Sequence, residues 1–422
     1  MQIRKVTVLS VLCISLVGSL FATTLAAPKQ ITLSVLYDYV TEAGRASVQK
    51  SLDLYQKKHP NIKLNVQVVT QAKWAEVVKT RAIANDLPDV AMAVPQRVGE
   101  WATVGKLEAG NKYIPKSVLN KYSKARLLSD TYNDGQIYGL PFADSVRAVA
   151  YNADYFAKAG IKPPTKAKDA WTWDQMVEAA KKAQAASGAK YALQFGKASM
   201  DSWLAFIYQA GGALMSDDFS KATLDTPEVR KALEWTVKLH KDGIAAPGII
   251  DGTEDPLRLF ASGATTLWMP TDNSLILNLS SQAKFKFGFT FMPRDAQQAT
   301  VIGGSDWIAF KGNHPKESWD LVLYMVSASP MKDFNEALTA IPPRSDVHVK
   351  WSVHPEFASF FAEQARQIPE ALIKQQLHPA YGATRDKLLQ ELSACVSGQK
   401  SVDDALAAMN QYMNDSLKQN HY

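Results

Sequence analysis

From Gln30 the apolar residues alternate, with Ile31, Leu33 and Val35 on one side of an extended segment, the period of a half-buried strand. A stretch carrying Val48, Leu52 and Tyr55 follows at helical spacing, and His59-Pro60-Asn61 punctuates it before Ile62, Leu64, Val66 and Val68 alternate again. This order predicts a β-α-β unit. A second helical stretch with Trp74, Val77, Val78 and Arg81 leads to Asp89-Val90-Ala91-Met92-Ala93-Val94, a short buried strand that stops at Pro95. Strands alternating with helices predict a mostly parallel sheet. In such sheets ligands gather at the carboxyl ends of the strands, which here means Tyr37 and Asp38 after the first strand and Pro95, Gln96 and Arg97 after the third.

Further along, the helix punctuation is strong. Thr172 and Gln175 stand at capping-box spacing, with Gly188 as the stop. Thr226-Pro227-Glu228 supplies a cap, a proline at the first helical position and an acid in the first turn, ahead of Val229, Leu233 and Val237 and a stop at Gly243. Both helices fall in what reads as a second lobe. Neither an internal repeat nor a Gly/Ser linker separates the two.

The start of the chain follows a different pattern. Arg4 and Lys5 precede an apolar run over residues 6–21, and then come the small residues Ala22-Thr23-Thr24-Leu25-Ala26-Ala27. This predicts a secretory signal peptide over residues 1–26, cleaved near Ala26, and a periplasmic location. The run is shorter than the roughly 20 residues that span a bilayer. Cys13 lies inside it behind Leu12, without the small residue that precedes a lipid-modified cysteine. Once residues 1–26 are removed Cys395 is the only thiol, so core packing and not a disulfide must stabilise the fold. A chain of 422 residues, 46% hydrophobic and 21% charged, is long enough for two lobes with their own cores. The net charge of +6 is dispersed among acids, which speaks against a nucleic-acid partner. The histidines show no metal-ligand spacing, and the motifs of serine hydrolases, zinc proteases and P-loop enzymes are missing from the sequence.

Several segments appear in a telling order. They are Lys57-Lys58-His59-Pro60-Asn61, Leu87-Pro88-Asp89-Val90, Asp134-Gly135-Gln136-Ile137-Tyr138-Gly139-Leu140-Pro141-Phe142, Tyr151-Asn152-Ala153-Asp154-Tyr155-Phe156, Trp171-Thr172-Trp173-Asp174, Gln209-Ala210-Gly211-Gly212, Gly303-Gly304 and Ile341-Pro342-Pro343-Arg344. This series resembles the family 1 extracellular solute-binding proteins, the large sugar-binding group that includes maltose-binding-like proteins. The resemblance implies an α/β, two-lobed periplasmic binding protein fold of type II, with a ligand cleft between lobes joined by hinge segments. By that analogy residues 27–138 plus 303–340 form the first lobe and residues 139–302 plus 341–422 the second. Crossings are then expected near Ile137 to Pro141, Val301 to Gly304 and Ala337 to Pro343. It also implies a monomeric substrate-binding component of an ABC importer, with permease subunits in the inner membrane as partners and no cofactor. The expected ligand is a mono- or oligosaccharide, or a polyol, trapped by lobe closure.

A sugar presents hydroxyls and apolar faces, so its site needs planar polar groups and flat aromatic plates. The candidates are Tyr37, Asp38, Gln96, Asp144, Ser145, Asp272, Asn273, Gly304, Ser305, Trp307 and Arg344. Trp307 follows two glycines and is the expected stacking plate. Asn273 occupies the approximate position of a family tryptophan. Arg147 and Arg344 fit either an anion clamp or salt bridges, which leaves a sugar acid, sulfonate or phosphate as an alternative ligand. A carbohydrate-active hydrolase using Asp38, Asp144 or Asp272 is the alternative from another class.

Overall fold

A computed structural model describes residues 30–419, apart from residues 40, 133, 197, 198, 250 and 251. The expected signal peptide and its cleavage site lie outside the described residues. The first unit forms as the pattern predicts: β1 (Ile31–Tyr39), α1 (Glu42–Lys58), β2 (Ile62–Thr70), α2 (Gln71–Ile83), β3 (Val90–Ala93) and α3 (Pro95–Thr103). Thr41 caps α1 by accepting from the Gly44 amide, Glu42 sits in its first turn, and Lys57 and Lys58 in its last, each charge matching the helix dipole. β1 lies between β2 and β3, parallel to both, with Ile31 opposite Ile62 and Val35 opposite Val90. Alternation along β1 sends Leu33, Val35 and Tyr37 against Val48, Leu52 and Tyr55 of α1. It sends Leu36 to the other face, against Trp74 and Val78 of α2.

The sheet continues through β4 (Gly139–Asn152), β5 (Tyr191–Phe195), β6 (Thr265–Asp272), β7 (Phe287–Thr290) and β8 (Ile302–Ala309), in the order β2-β1-β3-β8-β4-β6-β5, with β7 also on β4. The expectation of a mostly parallel sheet holds for β1 to β3 and for β5 against β6. It fails in the middle, where β8 is antiparallel to β3 and β4 is antiparallel to β8, β6 and β7. β4 and β8 are the strands that carry the chain from one half to the other and back, and they run in opposite directions.

The register locates the crossings. β4 pairs with β8 up to Val146 and with β6 from Arg147, so the chain changes partners several residues after the expected Ile137 to Pro141. Gly304 lies opposite Asp144, and Asp144 also exchanges two backbone hydrogen bonds with Ile341, at 2.8 and 3.0 Å. Three chain segments therefore meet beside Asp144. Gly304 has φ of +140°, and a β-carbon there would lie 2.0 Å from the Ala143 carbonyl oxygen, so no other residue fits without moving backbone. Asn273 fastens the same place: its Oδ1 accepts from the Val146 amide at 2.8 Å and its Nδ2 donates to the Thr339 carbonyl at 2.7 Å.

The second half has its own core, in which Trp173, Leu204, Phe206, Leu233, Leu267 and Met269 are buried together. The helix Trp173–Ser187 begins with the Thr172–Gln175 capping box, both bonds formed, and ends at Gly188 with φ of +80°. The helix Pro227–Lys241 follows Thr226 with Pro227 at its first position and Glu228 in its first turn, but the Thr226 hydroxyl makes no capping bond. Two later helices, Glu370–Leu377 and Pro379–Val396, bring Leu372, Tyr381 and Leu388 into this core and also pack against α3 of the first half. Among the described residues, no helix is long and apolar enough to cross a membrane.

Candidate functional site

A cavity of about 550 Å³ opens between the two halves, within the size range of small-molecule sites. The carboxyl end of β1 gives it Asp38, the starts of α2 and α3 give Gln71, Trp74, Gln96 and Arg97, and β4 gives Asp144, Ser145 and Arg147. The end of β6 adds Asp272, the start of β8 adds Gly303, Gly304 and Ser305, and the second half's helices add Asp201 and Arg385. Seven sequence candidates thus come together: Asp38, Gln96, Asp144, Ser145, Asp272, Gly304 and Ser305.

Four do not line this cavity. Trp307 is fully buried, packed 6.0 Å from the Phe142 ring, because β8 runs away from the cavity and has already entered the sheet beside Met92 and Leu140. Tyr37 points to the α1 side, one residue out of phase with Asp38, and its hydroxyl reaches Gln49 Oε1 at 3.3 Å. Asn273 is fully buried and spends its amide on the crossing segments. Arg344 makes a two-pronged contact with Asp346, at 2.9 and 2.7 Å, and donates to the Val326 carbonyl, so its salt-bridge alternative is the one realised. Asp346 is held below the usual carboxylate range by that arginine first.

The charges on the wall are largely matched. Arg147 pairs with Asp272 at 2.5 Å, Arg97 with Glu100 at 2.5 Å, and Arg385 with Asp201 at 3.0 Å. Tyr381 also donates to Asp201, at 2.7 Å. Asp144 is gripped by Arg126 at 2.6 Å, and the same guanidinium reaches Asp306 at 2.5 Å and Asp130 at 3.4 Å, all four side chains being buried. One cation against three acids leaves an excess of carboxylate behind the wall. Burial accordingly pushes Asp306 up to about 6 and Asp130 and Asp144 upward as well, against the pull of Arg126.

Asp38 stands apart. It is 5% exposed, its pKa is raised to about 6 by burial against the help of its own backbone N–H, and its side chain has no other hydrogen-bond or ion-pair partner among the described residues. A buried, unpaired acceptor facing a cavity calls for a donor from a ligand.

Two aromatic residues, Trp74 and Phe334, border the cavity, and Trp74 is held in place. Its Nε1 donates to the Met92 carbonyl at 2.8 Å, which fixes the ring, and the Arg97 guanidinium lies 5.9 Å from its centroid. Trp74 is not among the sequence candidates, although it sits one turn into a helix that starts at the carboxyl end of β2, where the strand-end rule points. Asp201 and Arg385 were not read as site residues because nothing local marks them; only the packing of the second half brings them here. Among the described residues no group of three or more His, Cys, Asp or Glu is placed to hold a metal ion.

Two α/β halves, each with its own core and joined by crossing strands around a polar cavity, define a cleft-type binding protein. The chain belongs to the bacterial extracellular solute-binding protein family, whose profile matches residues 50–359. It is a binding protein, not an enzyme. It is 26% identical over 278 residues to a binding protein of Brucella abortus, spanning 66% of that protein's length and 64% of its own. It is 24% identical over 423 residues to the mannitol-binding protein of Pseudomonas aeruginosa, covering 89% of this chain and 91% of that one. In fold it resembles the GacH receptor of Streptomyces glaucescens, solved unliganded and with acarbose, with a TM-score of 0.78 at 21% identity over 92% of this chain and 99% of the receptor. Family and fold are those the sequence resemblance implies.

Proposed function

We propose that this chain is the periplasmic substrate-binding component of an ABC importer, and that it traps a neutral sugar or polyol by closing its two lobes. The observation that carries the reading is the charge pattern of the cavity. Its arginines are each engaged by a carboxylate, whereas the nearly buried Asp38 carboxylate has only its own backbone N–H and no donor or cation from another residue. Ligand hydroxyls satisfy such an acceptor and leave the arginine pairs intact, so those pairs can offer their remaining donors and acceptors to further hydroxyls. An anionic ligand could reach those remaining donors only beside Asp272, Asp201 or Glu100, whose negative charge already neutralises each arginine and opposes a second anion. Trp74 and Phe334, each nearly buried, give the wall the apolar aromatic surface that a sugar's CH groups can meet. The mannitol-binding relative and the acarbose-binding receptor support the same ligand class.

The test is a thermal-shift screen of the chain from Ala27 against mannitol, lactose, maltose and maltotriose, with glucuronate and sn-glycerol 3-phosphate as anions. A ligand at about 100 times its dissociation constant stabilises the native state by about 2.7 kcal/mol. A shift with a neutral member and none with the anions is expected. A shift with the anions alone would overturn the neutral-ligand reading.

A further inference from the structure

Helix α3 carries a glycine, Gly99, at its centre, where glycine is a weaker helix former than alanine. Gly99 is buried, and a β-carbon at this position would stand 2.5 Å from the backbone carbonyl oxygen of Leu377, the last residue of the helix Glu370–Leu377. Backbone held at both ends by helices cannot swing aside as a flexible side chain would, so the glycine is there for close approach.

The two partners belong to different halves of the molecule. Val98, Trp101 and Ala102 of α3 pack with β1, β3 and β8 in one core, whereas Leu372, Tyr381 and Leu388 pack in the other. The same elements also wall the cavity, through Gln96 and Arg97 at the start of α3 and Arg385 on the helix that follows Leu377. Ligand wall and contact point are thus rigidly linked on each side. We propose that Gly99 and the Leu377 carbonyl form the clasp at which the two lobes meet over bound solute, and that the missing side chain at position 99 sets how far they close. The proposal rests on the lobe-closure reading above, and its test is chosen so that the two fail separately.

Spin labels on Ile83→Cys and Lys238→Cys, exposed positions on opposite halves, report the lobe separation by pulsed dipolar spectroscopy, while native Cys395 is buried. The measurement compares the wild-type background with Gly99→Ala and Gly99→Leu, each with and without mannitol, lactose, maltose or maltotriose. The expected result is a short-distance population in the wild-type background that Gly99→Ala reduces and Gly99→Leu abolishes. Affinity for the sugar that binds wild type falls by about tenfold or more in Gly99→Leu, as the closing-competent fraction falls. The melting temperature of ligand-free Gly99→Ala is unchanged or higher, because alanine favours the helix; a purely structural glycine would instead lower it. Equal distance distributions in wild type and Gly99→Leu in the presence of a sugar that binds wild type overturn the clasp. A distance difference with no binding by any sugar or polyol overturns the proposed ligand class and leaves the clasp standing.

Discussion

At the scale of single residues, the site is decided by which carboxylates already have partners. Asp144, Asp201 and Asp272 are each held by an arginine, and Asp38 is not. Asp38→Asn removes the charge and keeps the shape, so it is expected to lower sugar affinity by about 1.5 kcal/mol or more, roughly tenfold. Calorimetric titration of the variant measures this directly, and unchanged affinity would take Asp38 out of the contact. Its pKa of about 6 adds a pH signature. The ionised form accepts ligand hydroxyls, so affinity should be flat from pH 8 to 7 and weaken as pH falls through about 6, and Asp38→Asn should lose that dependence. The sequence places Asp38 just after the first strand; β1 in fact runs on to Tyr39, so Asp38 lies within its carboxyl end, still on the side where such sheets bind. Trp307 is off the wall although two glycines precede it; no local pattern reveals that β8 has by then entered the sheet between Met92 and Leu140. Trp74 was passed over because a tryptophan on a helix is more often core, and here it is both: its indole nitrogen is fixed in the core while its ring borders the cavity.

At the scale of elements, local signals served well. The alternation in β1 and β2, the capping box at Thr172 and the stop at Gly188 all correspond to observed structure, since each depends on neighbours in the chain. Changes of strand partner depend on distant pairing, so the switch of β4 from β8 to β6 after Val146 is not visible in the sequence. β4 is one continuous strand of 14 residues whose partner changes midway, and nothing in its own composition marks Val146 as the point of change. The glycine that β4 faces there is informative in hindsight. Gly304→Ala is expected to destabilise the protein by about 1–3 kcal/mol, because a β-carbon would collide with the Ala143 carbonyl in a backbone conformation that alanine rarely adopts. Chemical denaturation measures it. A loss below about 0.5 kcal/mol would mean that β8 shifts freely at this position.

For the whole molecule, the family resemblance foretold two lobes around a cleft, and composition had room for both. What it could not foretell is how the cleft is furnished, since Asp201 and Arg385 are separated by nearly half the chain and meet only because the last helices return to the second core. Two cores joined by three crossing segments and by the contact of α3 with the last helices also have a calorimetric consequence. Without ligand, each core is free to melt on its own, and scanning calorimetry should show a van't Hoff enthalpy well below the measured heat, or two resolved peaks. A saturating sugar touches walls contributed by both and adds its binding energy only while both remain intact, so the peaks should merge and the two enthalpies converge. A single sharp transition in the free protein would show that the crossing strands and the α3 contact with the last helices suffice to make the halves melt as one.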